Sequence, residues 1–247
     1  MNPFLGRILR RFRAGGHTKQ QSETAFWRGF YQAASGPSAA GFFEALGPGP
    51  PGARPGFAQL EAEWAASGCA ERLLEVGRTL TSARYRDDLQ IGSQTLARKT
   101  VLDLGCGPLG ALCWFDAGMR VGVDELTHEY QEIGFPLERQ PMLYVRGKAE
   151  DLPFPDGQFD SVLSVNALDH VERFEAAIRE LARVLKPGGR AFLGMNYQDR
   201  PTDCEPVLLN DDRVEAALAP FFSFQKKGDE RTDFGYSKSC YHGVRRP

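Results

Sequence analysis

From Thr100 onward the chain repeats one pattern, in which short apolar or β-branched runs alternate with helix-periodic or polar ones. The runs are "TVLDLG", "ALCWFDAG", "RVGVDE", a loop or helix, "MLYVRG", "FDSVLSV", "FEAAIRELARVLK" and "RAFLGM". Strands that alternate with helices are joined by right-handed crossovers, which lay the strands parallel and place helices on both faces. The end of the chain differs. "FFSFQKKGDE" and "YSKSCYHGVRR" follow the helical "DDRVEAALAP" with no helix between them, so they are expected to pair as an antiparallel hairpin. The predicted class is α/β, with a mostly parallel sheet.

The first hundred residues read differently. Ser22 to Leu46 is helical around a break at "SGPS", with Phe26, Trp27, Phe30, Tyr31, Phe42 and Phe43 as its apolar faces. "GPGPPGARPG", Gly47 to Gly56, is a linker or surface loop, because its prolines lack donors and its glycines lack stiffness. Helices are expected again from Phe57 to about Leu80 and from Arg84 to Ala97. Three divisions follow: a basic amphipathic segment over 1–21, a helical extension over 22–97 containing the 47–56 loop, and the α/β domain over 98–247.

Within the first division, "FLGRILRRFRAGG" places Phe4, Ile8 and Phe12 on one helical face and four arginines around it. Two readings stand: a peripheral contact with anionic lipid through residues 4–13, or an arm packed on its own domain. The five cysteines form no C-x-x-C pair, no apolar run approaches the ~20 residues a spanning helix needs, and no cleavable leader is visible. The expectation is a cytoplasmic protein with reduced thiols, peripheral at the inner membrane surface on the lipid reading. A formal net charge of -2 supplies no global field for a polyanion, so no nucleic-acid partner is expected. No metal site is expected either, and the oligomeric state is left open.

"VLDLGCGPLG", Val101 to Gly110, spells G-x-G-x-x-G through Gly105, Gly107 and Gly110, with Asp124 downstream as in dinucleotide-binding folds. Asp103 argues against a nicotinamide. It lies two residues before the first glycine, on a strand expected to be buried on both faces, where an ionised carboxylate needs a cationic or hydrogen-bonding partner. A ligand with an amino group and a sulfonium would suit it. Asp124 closes the second strand, where it and Glu125 are placed to accept from two ribose hydroxyls; the structural alternative for Asp124 is a helix cap before "LTHEYQEIG".

The motifs "VLDLGCGPLG", "VGVDE", "GKAEDLPFPDGQFDSVLSVNALDHV" and "ELARVLKPGGRAFL", in this order and spacing, make the chain from about residue 98 resemble a class I S-adenosylmethionine-dependent methyltransferase of the generic small-molecule or glycan type. The resemblance implies a Rossmann-like sheet of seven strands with an antiparallel last strand. It places Asp103 and the Gly105–Cys106–Gly107 turn at the cofactor's methionine part, Asp124 at the ribose, and Ala149 and Glu150 beside the adenine, with Asn166 to His170 past the fourth strand facing the acceptor and Asn166 also among the cofactor-binding residues. It also implies that the helical extension forms a lid. Two departures from the family pattern stand out. The third glycine falls at Gly110 rather than at Leu109, and Lys148 replaces an acid that commonly binds the adenine amino group.

His170 is the candidate base for an acceptor hydroxyl, although methyl transfer needs chiefly alignment. Substrate candidates are Asp169 and, in the polar loop "MNYQDRPTDCEP", Asn196, Tyr197, Thr202 and Glu205. His128 and Tyr130 are placed to cover the cofactor. The leading expectation is a transferase moving the sulfonium methyl of S-adenosyl-L-methionine to a small molecule or a lipid-linked sugar. A non-catalytic domain holding that cofactor or its demethylated product is the alternative, and an NAD-dependent oxidoreductase the weaker one.

Overall fold

The computed structural model describes residues 18–46, 57–92, 94–231 and 237–247. The basic segment over residues 4–13 and the Gly/Pro loop over 47–56 lie outside the described residues. Seven strands form one sheet: β1 (Thr100–Leu104), β2 (Met119–Asp124), β3 (Leu143–Arg146), β4 (Phe159–Val165), β5 (Leu185–Tyr197), β6 (Phe222–Arg231) and β7 (Ser237–Arg245). Their order is β3-β2-β1-β4-β5-β7-β6. Strands β1 to β5 pair in parallel, and β7 is antiparallel to both β5 and β6, so the expected hairpin is present. Strand order reverses between β1 and β4, and a crevice opens there beyond the carboxyl ends of the strands.

Alternation along β1 divides the core. Leu102 and Leu104 join a cluster with Phe174, Ile178 and Leu181 of helix α7 (Phe174–Val184), whereas Val101 packs with Leu89, Leu96, Leu163 and Phe192 on the other face. Asp103 shares the second face with Val101, because side chains alternate along the strand.

The extension contains α1 (Lys19–Ser35), α2 (Ala39–Leu46), α3 (Phe57–Ala66), α4 (Cys69–Val76), a π-helical turn over Gly77–Thr81, and α5 (Ser82–Leu89). Thr18 and Gln21 form a reciprocal capping box at the start of α1. Two expected helices are shorter than the sequence suggested. The run from Phe57 breaks at Ser67–Gly68, and α5 stops at Leu89 instead of reaching Ala97. Gln90 there takes a left-handed φ of 50°, its N–H bonding Asp87 O while the N–H of Ile91 bonds Arg86 O, a Schellman closure that Gly92 follows.

The expected helix "ALCWFDAG" is a single 3-10 turn, Ala111–Trp114. Gly110, in the left-handed region at φ 53°, precedes it, and a Cβ there would lie 1.9 Å from Gln140 Oε1. Gly110 thus suits a left-handed turn that a side-chain-bearing residue adopts only under strain. Helix α6 (Thr127–Ile133) follows β2, and α8 (Asp211–Leu218) precedes β6. No described helix is long and apolar enough to cross a membrane.

A third apolar cluster joins the extension to the sheet domain. Phe30, Ala34, Phe42, Trp64 and Leu73 pack against Leu109, Leu126, Tyr130 and Phe135. Trp27 meets Tyr130 and Phe135 edge-on at centroid distances of 5.7 and 5.9 Å, a favoured aromatic geometry. Arg72, 8% exposed, ties the extension together by donating to Trp64 O at 2.8 Å, Ala34 O at 3.1 Å and Gly36 O at 2.6 Å.

Candidate active site

A cavity of about 390 Å³ lies at the strand-order reversal. Its floor is Gly105 and Gly107 after β1, Asp124 and Glu125 at the end of β2, Gly147 to Glu150 after β3, and Asn166 to Leu168 with His170 after β4. Its roof is the extension: Lys19, Glu23, Phe26, Trp27 and Phe30 of α1, with Val76, Leu80, Thr81 and Arg84 beyond.

The turn after β1 is shaped for a close approach. Gly105 and Gly107 take φ values of 71° and 57°, a region that side-chain-bearing residues rarely adopt. A Cβ at Gly105 would lie 2.2 Å from the Cβ of Ala167, in the segment after β4. Cys106 between them is buried, its Sγ turned toward Gly122 of β2.

Asp124 ties the glycine turn after β1 to the segment that leads from β2 into the next helix. Oδ1 accepts from Leu126 N at 3.0 Å and Tyr130 Oη at 3.1 Å, and Oδ2 accepts from Gly107 N at 3.0 Å. Burial raises the pKa of this carboxyl, while the bonds from Leu126, Gly107 and Tyr130 work the other way. The second lone pair of Oδ2 leaves room for one ribose hydroxyl rather than the two expected. Glu125 is engaged elsewhere. Lys19 and Gln20 of α1 both donate to it, and Lys148 Nζ lies 3.8 Å from its Oε2. Lys148 thus stands beside the contact between β2 and α1 while also lining the cavity.

Several expected positions need correction. Asp103 does not reach the cavity wall: it is fully buried, and its Oδ1 accepts from Tyr85 Oη of α5 at 3.2 Å. Burial lifts its pKa to about 8, with the Tyr85 bond opposing and Asp124 adding repulsion. Tyr197 packs against the sheet core, its hydroxyl donating to Asp211 at 2.8 Å, because the alternation of β5 sends it away from the cavity. Asn196 lines a smaller cavity of about 100 Å³ with Asp88, Lys238 and Ser239, which meets the main one only at Asn166. His128 is exposed and faces Glu132, whereas Tyr130 is buried and does line the cavity. Of the adenine candidates, Ala149 and Glu150 line the cavity, but Glu150 Oε1 also accepts from Glu172 N at 2.8 Å and Arg173 N at 3.2 Å.

Beyond the end of β4, His170 Nδ1 donates to Glu23 Oε1 at 2.9 Å, while Nε2 lies 4.0 Å from Glu205 Oε1. Glu205 is fixed by Thr202 Oγ1 at 2.8 Å and Gln198 Nε2 at 3.0 Å. Asp169 is 1% exposed, and neither of its oxygens has a partner among the described residues. Burial disfavours charge on His170, but Asp169, Glu23 and Glu205 outweigh it and lift the pKa to about 9. The three acids thus favour the charged form of the ring over the neutral form that a base requires.

Sequence reasoning missed Lys19, Glu23, Thr81, Arg84 and Cys204 as cavity residues. A signal for two of them existed: Lys19, Glu23, Phe26 and Phe30 recur at i, i+4, i+7 and i+11, which puts an ion pair on the apolar face of α1.

A reversed strand order, a left-handed glycine turn and an acid closing the second strand, all at one cavity, define a Rossmann-like fold. Residues 102–193 match the family described as a methyltransferase domain. A sterol 24-C-methyltransferase of Pneumocystis carinii is 30% identical over 114 residues, covering 43% of this chain and 30% of that protein. A fatty-acid O-methyltransferase of Mycolicibacterium smegmatis is 38% identical over 95 residues, covering 37% of this chain and 35% of that protein. The chain thus spans about a third of the length of these curated relatives. Among solved structures, YcgJ of Bacillus subtilis superposes with a TM-score of 0.54 at 18% identity, covering 70% of this chain and 99% of that one. Phosphoethanolamine N-methyltransferase 2 of Haemonchus contortus, solved with S-adenosyl-L-methionine, gives 0.56 at 15% identity, covering 68% and 53%. The match to the methyltransferase-domain family thus falls within a seven-stranded sheet of the form that the motifs implied.

Proposed function

We propose that this protein transfers the methyl group of S-adenosylmethionine to a small acceptor with an apolar body, such as a lipid-like acid or alcohol or a lipid-linked sugar. The observation that carries the reading is that one cavity joins the glycine turn and Asp124 to an aromatic and aliphatic wall supplied by the extension. The residues present fit the cofactor. Gly105 and Gly107 line the cavity with backbone alone, Asp124 Oδ2 has an acceptor position for the ribose, Ala149 flanks the adenine end, and the buried Asn166 Oδ1 has no other partner among the described residues. When bound, the cofactor supplies an electrophilic sulfonium methyl.

The chain's own contribution is enclosure and alignment. Lys19 and Gln20 of α1 hold Glu125, Glu23 holds His170, and Trp27 lies against Gly107, so three points of one helix close over the turn and the strand ends. Water exclusion and fixed orientation are the principal means by which a protein accelerates a displacement of this kind. Phe26, Phe30, Val76 and Leu80 favour an apolar acceptor body over a bare sugar. The sterol and fatty-acid methyltransferases among the relatives support that choice.

The test is calorimetry of the full chain with S-adenosylmethionine, S-adenosylhomocysteine and NAD, followed by methyl-transfer assays with long-chain fatty acids, sterols, phenols and free and lipid-linked sugars. Binding of the two sulfur ligands and turnover on an apolar acceptor are expected. Binding of NAD in their place would overturn the reading, and binding without turnover across the panel would favour a non-catalytic cofactor-binding domain.

A further inference from the structure

We infer that Asp169, His170 and Glu205 form a binding site for one divalent transition-metal ion at the acceptor end of the cavity. Each residue offers one ligand atom, and these atoms lie within 4.8 Å of one another. Ligands bound to one small divalent ion at about 2.1 Å stand roughly 3 to 4 Å apart, so a small inward movement would complete the set.

The independent observation is Asp169. A carboxylate that is 1% exposed and has no partner for either oxygen among the described residues carries a heavy desolvation cost unless a cation meets it. His170 is held in the orientation of a ligand. Its Nδ1–H is given to Glu23 Oε1 at 2.9 Å, which leaves Nε2 as the ring atom facing the two acids. A carboxylate on the far nitrogen is the arrangement that fixes metal-binding imidazoles. The spacing fits the same reading, since 4.0 Å between Nε2 and Glu205 Oε1 is too long for a hydrogen bond and suits two ligands of a shared ion. Glu205 is likewise oriented from behind, by Thr202 and Gln198.

The donor set selects the ion. One imidazole and two carboxylates suit Mn²⁺, Fe²⁺, Co²⁺ or Zn²⁺, whereas Mg²⁺ and Ca²⁺ prefer oxygen ligands alone. The site would join the segment after β4 to the polar loop after β5, with His170 and Cys204 forming the cavity wall in front of it. Its placement at the acceptor end rests on the proposed methyltransferase reading, whereas ion binding itself does not.

The test uses the full chain after chelation and dialysis. Mn²⁺ binding is followed by electron paramagnetic resonance and Zn²⁺ binding by calorimetry, for the wild type, Asp169→Asn, Glu205→Gln and Glu23→Gln, each checked by circular dichroism. One ion per chain is expected in the wild type. Losing a ligand should weaken binding at least about 100-fold, and Glu23→Gln, which removes only the orienting acid, about 10- to 100-fold. No ion bound by the wild type, or equal binding by folded Asp169→Asn, would overturn the site. S-adenosylmethionine binding to the metal-free wild type is measured alongside, so failure of the cofactor reading registers separately from failure of the metal site.

Discussion

Trp27 of α1 lies over the glycine turn, its Cζ2 3.4 Å from where a Cβ on Gly107 would stand. One helix of the extension thus forms the opposite wall of the cofactor cradle. Gly107→Ala should strain a backbone held at φ 57°, at about 1–2 kcal/mol, and press the new methyl against the indole. Thermal denaturation should show that loss, and calorimetry should show S-adenosylmethionine binding weakened about tenfold. Unchanged affinity would mean that the turn and Trp27 do not jointly shape the site.

Asp124 accepts from Gly107 N, Leu126 N and Tyr130 Oη at once. Asn at this position offers one acceptor oxygen and turns an N–H₂ toward a donor, which leaves at least one donor unsatisfied at about 1–3 kcal/mol. Asp124→Asn is expected to lower the melting temperature and weaken cofactor binding at least tenfold. Glu125→Gln should lose less, because that side chain faces Lys19 and Gln20 of α1. Parallel titrations of the two variants check the order.

Asp103 introduces a pH dependence. Burial, only partly countered by the Tyr85 hydrogen bond and reinforced by Asp124, lifts its folded pKa to about 8, whereas the unfolded value is about 4. The folded protein therefore keeps a proton that the unfolded chain gives up, and stability fully present below pH about 4 is lost as pH rises through about 8. Asp103→Asn retains an acceptor for Tyr85 and has no charge to bury. Its melting temperature relative to wild type should rise steadily between pH 5 and 9, a difference on the order of 5 kcal/mol at the alkaline end. Parallel profiles would show that Asp103 does not titrate in this range.

Arg72 holds α1, α3 and α4 together through three carbonyl groups, with its guanidinium 5.3 Å from the Trp64 ring centroid. Arg72→Met fills similar volume but removes three donated bonds, leaving Gly36 O to Trp64 Nε1, Trp64 O to Ser67 N and Ala34 O with no donor in its place among the described residues, at a cost of roughly 3 kcal/mol. Hydrogen exchange should rise first in the extension and only weakly in β1, β4 and β5, while cofactor affinity falls as α1 loosens. Uniform exchange across both parts would show that they unfold as one unit.

Much of the cofactor floor was legible because it is local. The left-handed glycine turn, the acid closing β2 and the residues after β4 each follow a strand end, and a parallel sheet brings strand ends together whatever else the chain does. Asp124, Ala149 and Asn166 came from that logic as residues of the cavity wall. Asp103 and Tyr197 were misplaced because alternation within a strand sends a side chain to one face or the other, and motif order does not say which face meets the ligand. The short turn after Gly110 had a local cause, but its contact with Gln140 lies in another crossover.

The sequence by itself determined the alternation of strands and helices, the terminal hairpin and, through the order of its motifs, the resemblance that names the cofactor class, since hydrophobic period, turn glycines and strand-end acids act over a few residues. Only the tertiary structure decided what closes the site. Glu23 meets His170 across 147 positions, and Lys19 meets Glu125 across 106. Ion pairs between residues so far apart have no spacing that a sequence can display. They form because the aromatic face of α1 must be buried, and packing it on Tyr130 and Phe135 carries those charges over the strand ends.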